Sequence, residues 1–175
     1  MATPLVQTKL YIPPVRPELV SRPRLIERLD AGLDLGHRLT LVSAPAGFGK
    51  TTLLSEWAAD FGLPISDSGS GPAGDGASGE SESKIESPRS RIRVAWLSLD
   101  EGDNDPARFL AYLVAALRTA GEDVSDELPS VPQSPLSAPV EEFLVGLINQ
   151  VSAVSAKLVL VLDDYHLITA QPIHD

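Results

Sequence analysis

Apolar side chains recur along the chain in two rhythms, and each stretch between polar breaks takes one of them. Leu25, Ile26, Leu29 and Leu33 fall on one face at helical spacing, and Ser21 followed by Pro23 is a helix-start signal, so a first helix is expected near 22–33. Gly36 interrupts this pattern. Leu39, Leu41 and Val42 then form a short apolar run, predicted to be a buried strand ending at Ser43. The small, glycine-rich segment from Ala44 to Thr52 opens into Leu53, Leu54, Trp57, Ala58 and Phe61, again at helical spacing. The order so far is helix, strand, loop, helix.

Residues 64–92 are dominated by Ser, Gly, Asp and Glu and carry too few large apolar groups to offset the entropy of ordering, which predicts a flexible insertion. Val94, Trp96 and Leu97 mark a second strand ending near Leu99. An acidic loop from Asp100 to Asp105 follows. Asp105 and Pro106 make an N-cap and first-turn pair for a helix whose stripe is Phe109, Leu110, Leu113, Val114 and Leu117, with Gly121 beyond it. A Pro- and Ser-rich loop occupies roughly 125–138. Val140, Phe143, Leu144, Leu147, Ile148 and Val151 then mark another amphipathic helix. Leu158 to Leu162, five apolar residues stopped by Asp163 and Asp164, suit a strand buried on both faces of a parallel sheet. Strands alternating with helices predict an α/β fold. The chain divides into 1–62, the insertion 63–92, and 93–175, with no internal repeat.

Composition narrows the classes. The 175 residues, 43% of them apolar, fit one domain with a core. The longest apolar stretch, Phe109 to Leu117, falls well short of the roughly 20 residues that span a bilayer. The amino terminus lacks the pattern of a secretory signal, and the absence of cysteine suits a reducing cytoplasm, bacterial by default. The net charge of −10 is concentrated in residues 93–175, which carry 4 basic and 13 acidic side chains. That surface repels a phosphate backbone, so direct nucleic-acid contact by this chain is not expected.

Two constellations carry candidate chemistry. Ala44, Pro45, Ala46, Gly47, Phe48, Gly49, Lys50 and Thr51, continuing to Thr52, match a phosphate-binding P-loop except for Ala in place of the first Gly. Small residues let consecutive backbone N–H groups wrap phosphates at a helix N-terminus, Lys50 would neutralise the β and γ phosphates of ATP, and Thr51 would set its hydroxyl on Mg2+. The second constellation is the apolar strand that delivers Asp163 and Asp164 to its carboxyl end, a Walker B pattern. Asp163 takes the magnesium role, and Asp164 with Lys50 the candidate catalytic ones. The loop of Asp100, Glu101, Asp103 and Asp105 fails the EF-hand spacing and is expected to be helix capping plus a solvated turn. His166 and His174 are expected to be structural or solvated.

At these residues the chain resembles the nucleotide-binding domain of STAND-type P-loop ATPases found in large LuxR-type, MalT-like transcriptional regulators. The resemblance is carried by TKLYIPPVRPELVSRPRLIERL, LTLVSAPAGFGKTTLLSEW, VAWLSLDEGDNDPARFLAYLVAAL and LVLVLDDYHLI. It implies an ASCE-type parallel sheet flanked by helices, ATP with Mg2+ as ligand, nucleotide state controlling assembly, and Val20 and Arg22 near the adenine. It also implies that a sensor strand, not found in these residues, lies between the P-loop strand and the Walker B strand. The chain is therefore expected to be an incomplete module whose unpaired strand edges face each other, with itself or the remainder of a regulator as partner. A small-molecule P-loop kinase and a non-enzymatic nucleotide-binding fragment are the competing expectations. The kinase would need a basic lid that residues 120–140 do not offer.

Overall fold

The computed structural model describes residues 5–15, 18, 20–61, 92–121 and 140–174. Most of the insertion and the loop at 125–138 lie outside these residues. Ile92, assigned above to the insertion, instead opens the first strand and is buried.

Helix α1 (Pro23–Asp34) starts with its proline at the first turn, where a missing N–H costs nothing. It stops at Gly36, whose φ of 73° admits the left-handed conformation, with Gly36 N–H donating to Leu33 O and His37 N–H to Gly32 O, a Schellman closure. Helix α2 (Lys50–Ala59) follows the glycine-rich loop. Strand β1 (Ile92–Ser98) leads through a short 3-10 turn at Glu101–Asn104 into α3 (Pro106–Arg118), where the Asp105 carboxylate accepts from Arg108 N–H at 2.8 Å as predicted for the N-cap. Helix α4 (Val140–Ala153) and strand β2 (Lys157–Asp163) complete the main elements, followed by a 3-10 turn at Tyr165–Leu167 and the short α5 (Gln171–His174).

The sheet among the described residues has two strands, β1 and β2, paired in parallel from Ile92↔Lys157 to Ser98↔Asp163. Strand side chains alternate between faces, and the core divides accordingly. Ile92, Val94 and Val159 pack with Leu29, Leu53, Trp57 and Phe61 of the α1–α2 layer. Ala95 and Leu158 pack with Leu110, Val114 and Leu117 of α3 and Phe143 and Leu147 of α4, while Leu97 and Leu162 pack with Phe109, Tyr112 and Ala116. Helices therefore cover both faces. The same alternation puts Asp163 on the face of Val159, toward α2.

Three expectations are corrected. Residues 39–43 form no strand: Leu39 and Leu41 are 85% and 84% exposed, and only Val42 turns inward onto the α1–α2 cluster. The run has the apolar side chains of a strand but no ladder partner, because a cleft of about 1460 Å³ separates it from β2. For the same reason β2 is not buried on both faces, and Leu160 is 36% exposed. On α4, Ile148 lies on the exposed side of the stripe while Phe143 and Leu147 fill the core.

Candidate functional site

Residues 44–52 join the exposed 39–43 run to α2. Gly47 and Gly49 have φ of 81° and 73°, a region that side-chain-bearing residues enter only with strain, so these two glycines set the path of the loop. A turn bond from Phe48 N–H to Pro45 O closes it, and α2 begins at Lys50 directly after Gly49, so the amino end of the helix opens onto the loop. Lys50 Nζ donates to Ala44 O at 2.9 Å and Pro45 O at 3.3 Å, folding back over the loop's own carbonyls.

Thr51 is the first side chain of α2 to reach the sheet. Its hydroxyl lies 2.8 and 3.0 Å from the two carboxylate oxygens of Asp163, a residue 112 positions away in the chain. Asp163 is buried at the carboxyl end of β2, where its backbone carbonyl also accepts from Leu99 N–H at 3.0 Å. Burial raises its carboxyl pKa above the ordinary value; the Thr51 hydrogen bond and the Lys50 charge oppose that rise, and the neighbouring Asp164 adds to it. Such a carboxylate gains from an added cation.

Asp164 is half-exposed and left-handed, with φ 56° and ψ 31°, the only described non-glycine residue with positive φ. The cleft beside β2 is lined by Ala44–Gly47, Gly49–Thr52 and Asp163–Leu167, so the glycine-rich loop and both aspartates share one space. The Phe48 side chain is exposed, and its carbonyl accepts from Arg22 Nη1 at 2.8 Å. Val20 and Arg22 join Gly47, Gly49 and Thr52 around a smaller hollow of about 290 Å³. All the residues singled out from the sequence thus lie on or beside one loop and one strand end. Among them, the Thr51 hydroxyl and the Asp163 carboxylate are oxygen groups of the kind a small hard cation takes, and residues 46–51 carry backbone N–H groups of the kind an anion takes.

His174 makes local contacts: Nδ1 lies 3.0 Å from the Tyr165 hydroxyl, the two rings meet edge to face, and Nε2 is 3.2 Å from Ile168 O. His166 is exposed beside Asp164.

The acidic loop departs from its expected role as a solvated turn. Asp100 and Asp103 close a capping box, but Asp103 is 0% exposed. Its carboxylate meets Lys9 Nζ, Arg108 Nε at 3.1 Å and Asp100 N–H at 2.9 Å. Lys9 comes from a 3-10 turn at Gln7–Leu10 that the sequence did not reveal, and it also lies over the Tyr112 ring. Asn104, to which the sequence assigned no role, reaches from this loop to residues 167–170.

No family model matches the chain. Individual relatives do. The chain is 35% identical over 173 residues to the HTH-type transcriptional regulator MalT of Cronobacter sakazakii, 35% over 171 residues to that of Yersinia enterocolitica, and 34% over 171 residues to that of Serratia proteamaculans. Each match takes in 98% of this chain but only 15% of the relative, so the chain spans a small part of the length of these regulators. The chain is thus MalT-like, related over nearly all of its own length to a segment of much longer HTH-type transcriptional regulators.

Proposed function

We infer that the chain is the ATP-binding part of a MalT-like regulator, a P-loop module of the STAND type that holds a Mg2+-bound nucleotide and uses its state to control assembly. The observation that carries this reading is the meeting of the Thr51 hydroxyl and the Asp163 carboxylate across 112 residues, at the mouth of a glycine-rich loop. A structural turn needs small residues but has no use for a threonine paired with a buried carboxylate at a strand end. Phosphates would lie against the amides of 46–51, and Lys50 would leave the carbonyls of Ala44 and Pro45 for their oxygens. Mg2+, held through Thr51 and Asp163, would neutralise phosphate charge and the charge of a carboxylate that burial disfavours. Asp164, half-exposed beside it, is the group to polarise an attacking water. Val20 and Arg22 border the smaller hollow, which on this reading would take the base.

The finer fold assignment follows from the same reading. Residues 39–43 pair with nothing among the described residues, and on this reading they would become the P-loop strand only once a further strand, supplied by the rest of a regulator or by a second copy, fills the cleft between them and β2. A cytoplasmic location suits such a regulator, and among the described residues no helix is long and apolar enough to cross a membrane.

Titration of the purified chain with ATP and Mg2+ tests the proposal. Lys50→Ala should weaken binding by about 2–3 kcal/mol, the scale of a hydrogen bond to a charged group. Equal affinities for the two proteins would remove the assignment.

A further inference from the structure

Asn104 has no part in either of the two constellations read as chemistry, yet its amide is engaged at both ends. Oδ1 accepts from Thr169 N–H at 2.7 Å and Ala170 N–H at 2.8 Å, with the Thr169 hydroxyl at 3.3 Å. Nδ2 donates to Leu167 O at 2.9 Å and Glu101 O at 3.0 Å. These partners fix the orientation of the amide: backbone N–H groups only donate and carbonyls only accept, so a flipped side chain would lose all four backbone bonds. Asn104 itself has little freedom. Asp103 before it is buried in its ion pairs, and Asp105 after it caps α3.

What Asn104 holds is the far end of the turn that begins at Asp164. The near end is fixed by the sheet through Leu99 N–H to Asp163 O. Between the two anchors, Leu167 N–H bonds to Asp164 O and Ile168 N–H to Tyr165 O, each at 3.0 Å. Asp164 sits at the start of this turn in a left-handed conformation that is strained for an ordinary L-residue and that aspartate adopts with local support. Without Asn104 the far end keeps the buried Ile168 side chain and the His174 contacts but loses its four bonds to the backbone, which frees Asp164 to leave the left-handed region and swing its carboxylate away from Asp163.

We propose that Asn104 is a positioning residue for Asp164, setting the carboxylate that faces the nucleotide without touching the nucleotide itself. The inference rests on the reading of Asp164 as the water-polarising group. It separates two effects that a general structural role would not: Lys50, Thr51 and Asp163 are anchored independently of Asn104, so binding persists where turnover fails.

The test compares the wild-type chain with Asn104→Ala, Asn104→Asp and Lys50→Ala, measuring affinity for ATP with Mg2+, single-turnover phosphate release, and amide exchange at Thr169 and Ala170. Asn104→Ala should leave affinity within about twofold, slow phosphate release by about 10- to 100-fold, the effect of misplacing a reacting group by an ångström, and speed exchange at both amides. Asn104→Asp keeps acceptors for Thr169 and Ala170, so their exchange stays slow and phosphate release falls less. Should Asn104→Ala fail to fold, Asn104→Ser is judged by the same criteria. Phosphate release at the wild-type rate in Asn104→Ala would overturn the inference, as would affinity and rate falling together. Absence of phosphate release from the wild type, with Lys50→Ala still weakening binding, would sink the inference and spare the binding site; unchanged affinity in Lys50→Ala would sink the underlying reading instead.

Discussion

Replacing Asp103 with alanine removes the carboxylate that ties the amino-terminal segment to the rest of the molecule. Three donors converge on it: Lys9 Nζ, Arg108 Nε and the backbone N–H of Asp100. Breaking a fully buried ion pair by deleting one partner costs about 3–5 kcal/mol, because the remaining charge is stranded. Two features reduce that figure here. Arg108 is partly exposed and can rehydrate, and Lys9 keeps Asp100 at 2.9 Å, the contact that holds the Asp100 carboxyl below its ordinary pKa. Against this, Lys9 is only 11% exposed and Asp100 N–H loses its acceptor. The net cost is therefore about 2–3 kcal/mol. Urea unfolding followed by the fluorescence of Trp57 and Trp96, both buried and the only tryptophans in the chain, reads it directly. A cycle with Lys9→Met isolates the pair and should give a coupling above about 1 kcal/mol. A loss below about 0.5 kcal/mol in Asp103→Ala, the range of an ordinary surface substitution, would refute the reasoning.

Asp163→Asn should stabilise the ligand-free chain at neutral pH and abolish the dependence of ATP affinity on Mg2+. The folded-state pKa of Asp163 is raised by burial, so the stability associated with its protonated form is complete below the ordinary carboxyl value and is lost as pH rises through the folded value. Wild type and variant should thus converge in thermal stability near about pH 3 and separate above it; a wild type more stable than the variant at neutral pH would contradict the sign. Leu41→Ser should change the stability of the chain by less than about 0.5 kcal/mol, as at any exposed site. A loss above about 2 kcal/mol in urea unfolding, the scale of a buried leucine, would show that the side chain is covered.

The parts of the site that were legible in the sequence are those whose geometry is local. Gly47 and Gly49 lie within a few residues of Lys50 and Thr51, and an apolar run stopped by Asp163 can only deliver that carboxylate to a strand end. The first-turn Pro23 and the Asp105 cap were readable for the same reason. Residues 39–43 misled because burial of a strand depends on its neighbours: the run has the right side chains, but across from it lies a cleft instead of a partner. Asp103 and Asn104 were hidden because their partners are remote. Lys9 is 94 residues from Asp103, and Ala170 is 66 from Asn104, so nothing in the local string DEGDND distinguishes a solvated acidic turn from a buried anchor.

The position of a bound triphosphate is the most direct test of nucleotide binding at the glycine-rich loop. A crystal structure of the chain with a non-hydrolysable ATP analogue and Mg2+ should place the β and γ phosphates against the amides of residues 46–51 with Lys50 turned toward them, and the cation beside the Thr51 hydroxyl on the Asp163 side. Phosphates bound elsewhere on the molecule, or a cation remote from both Thr51 and Asp163, would contradict it.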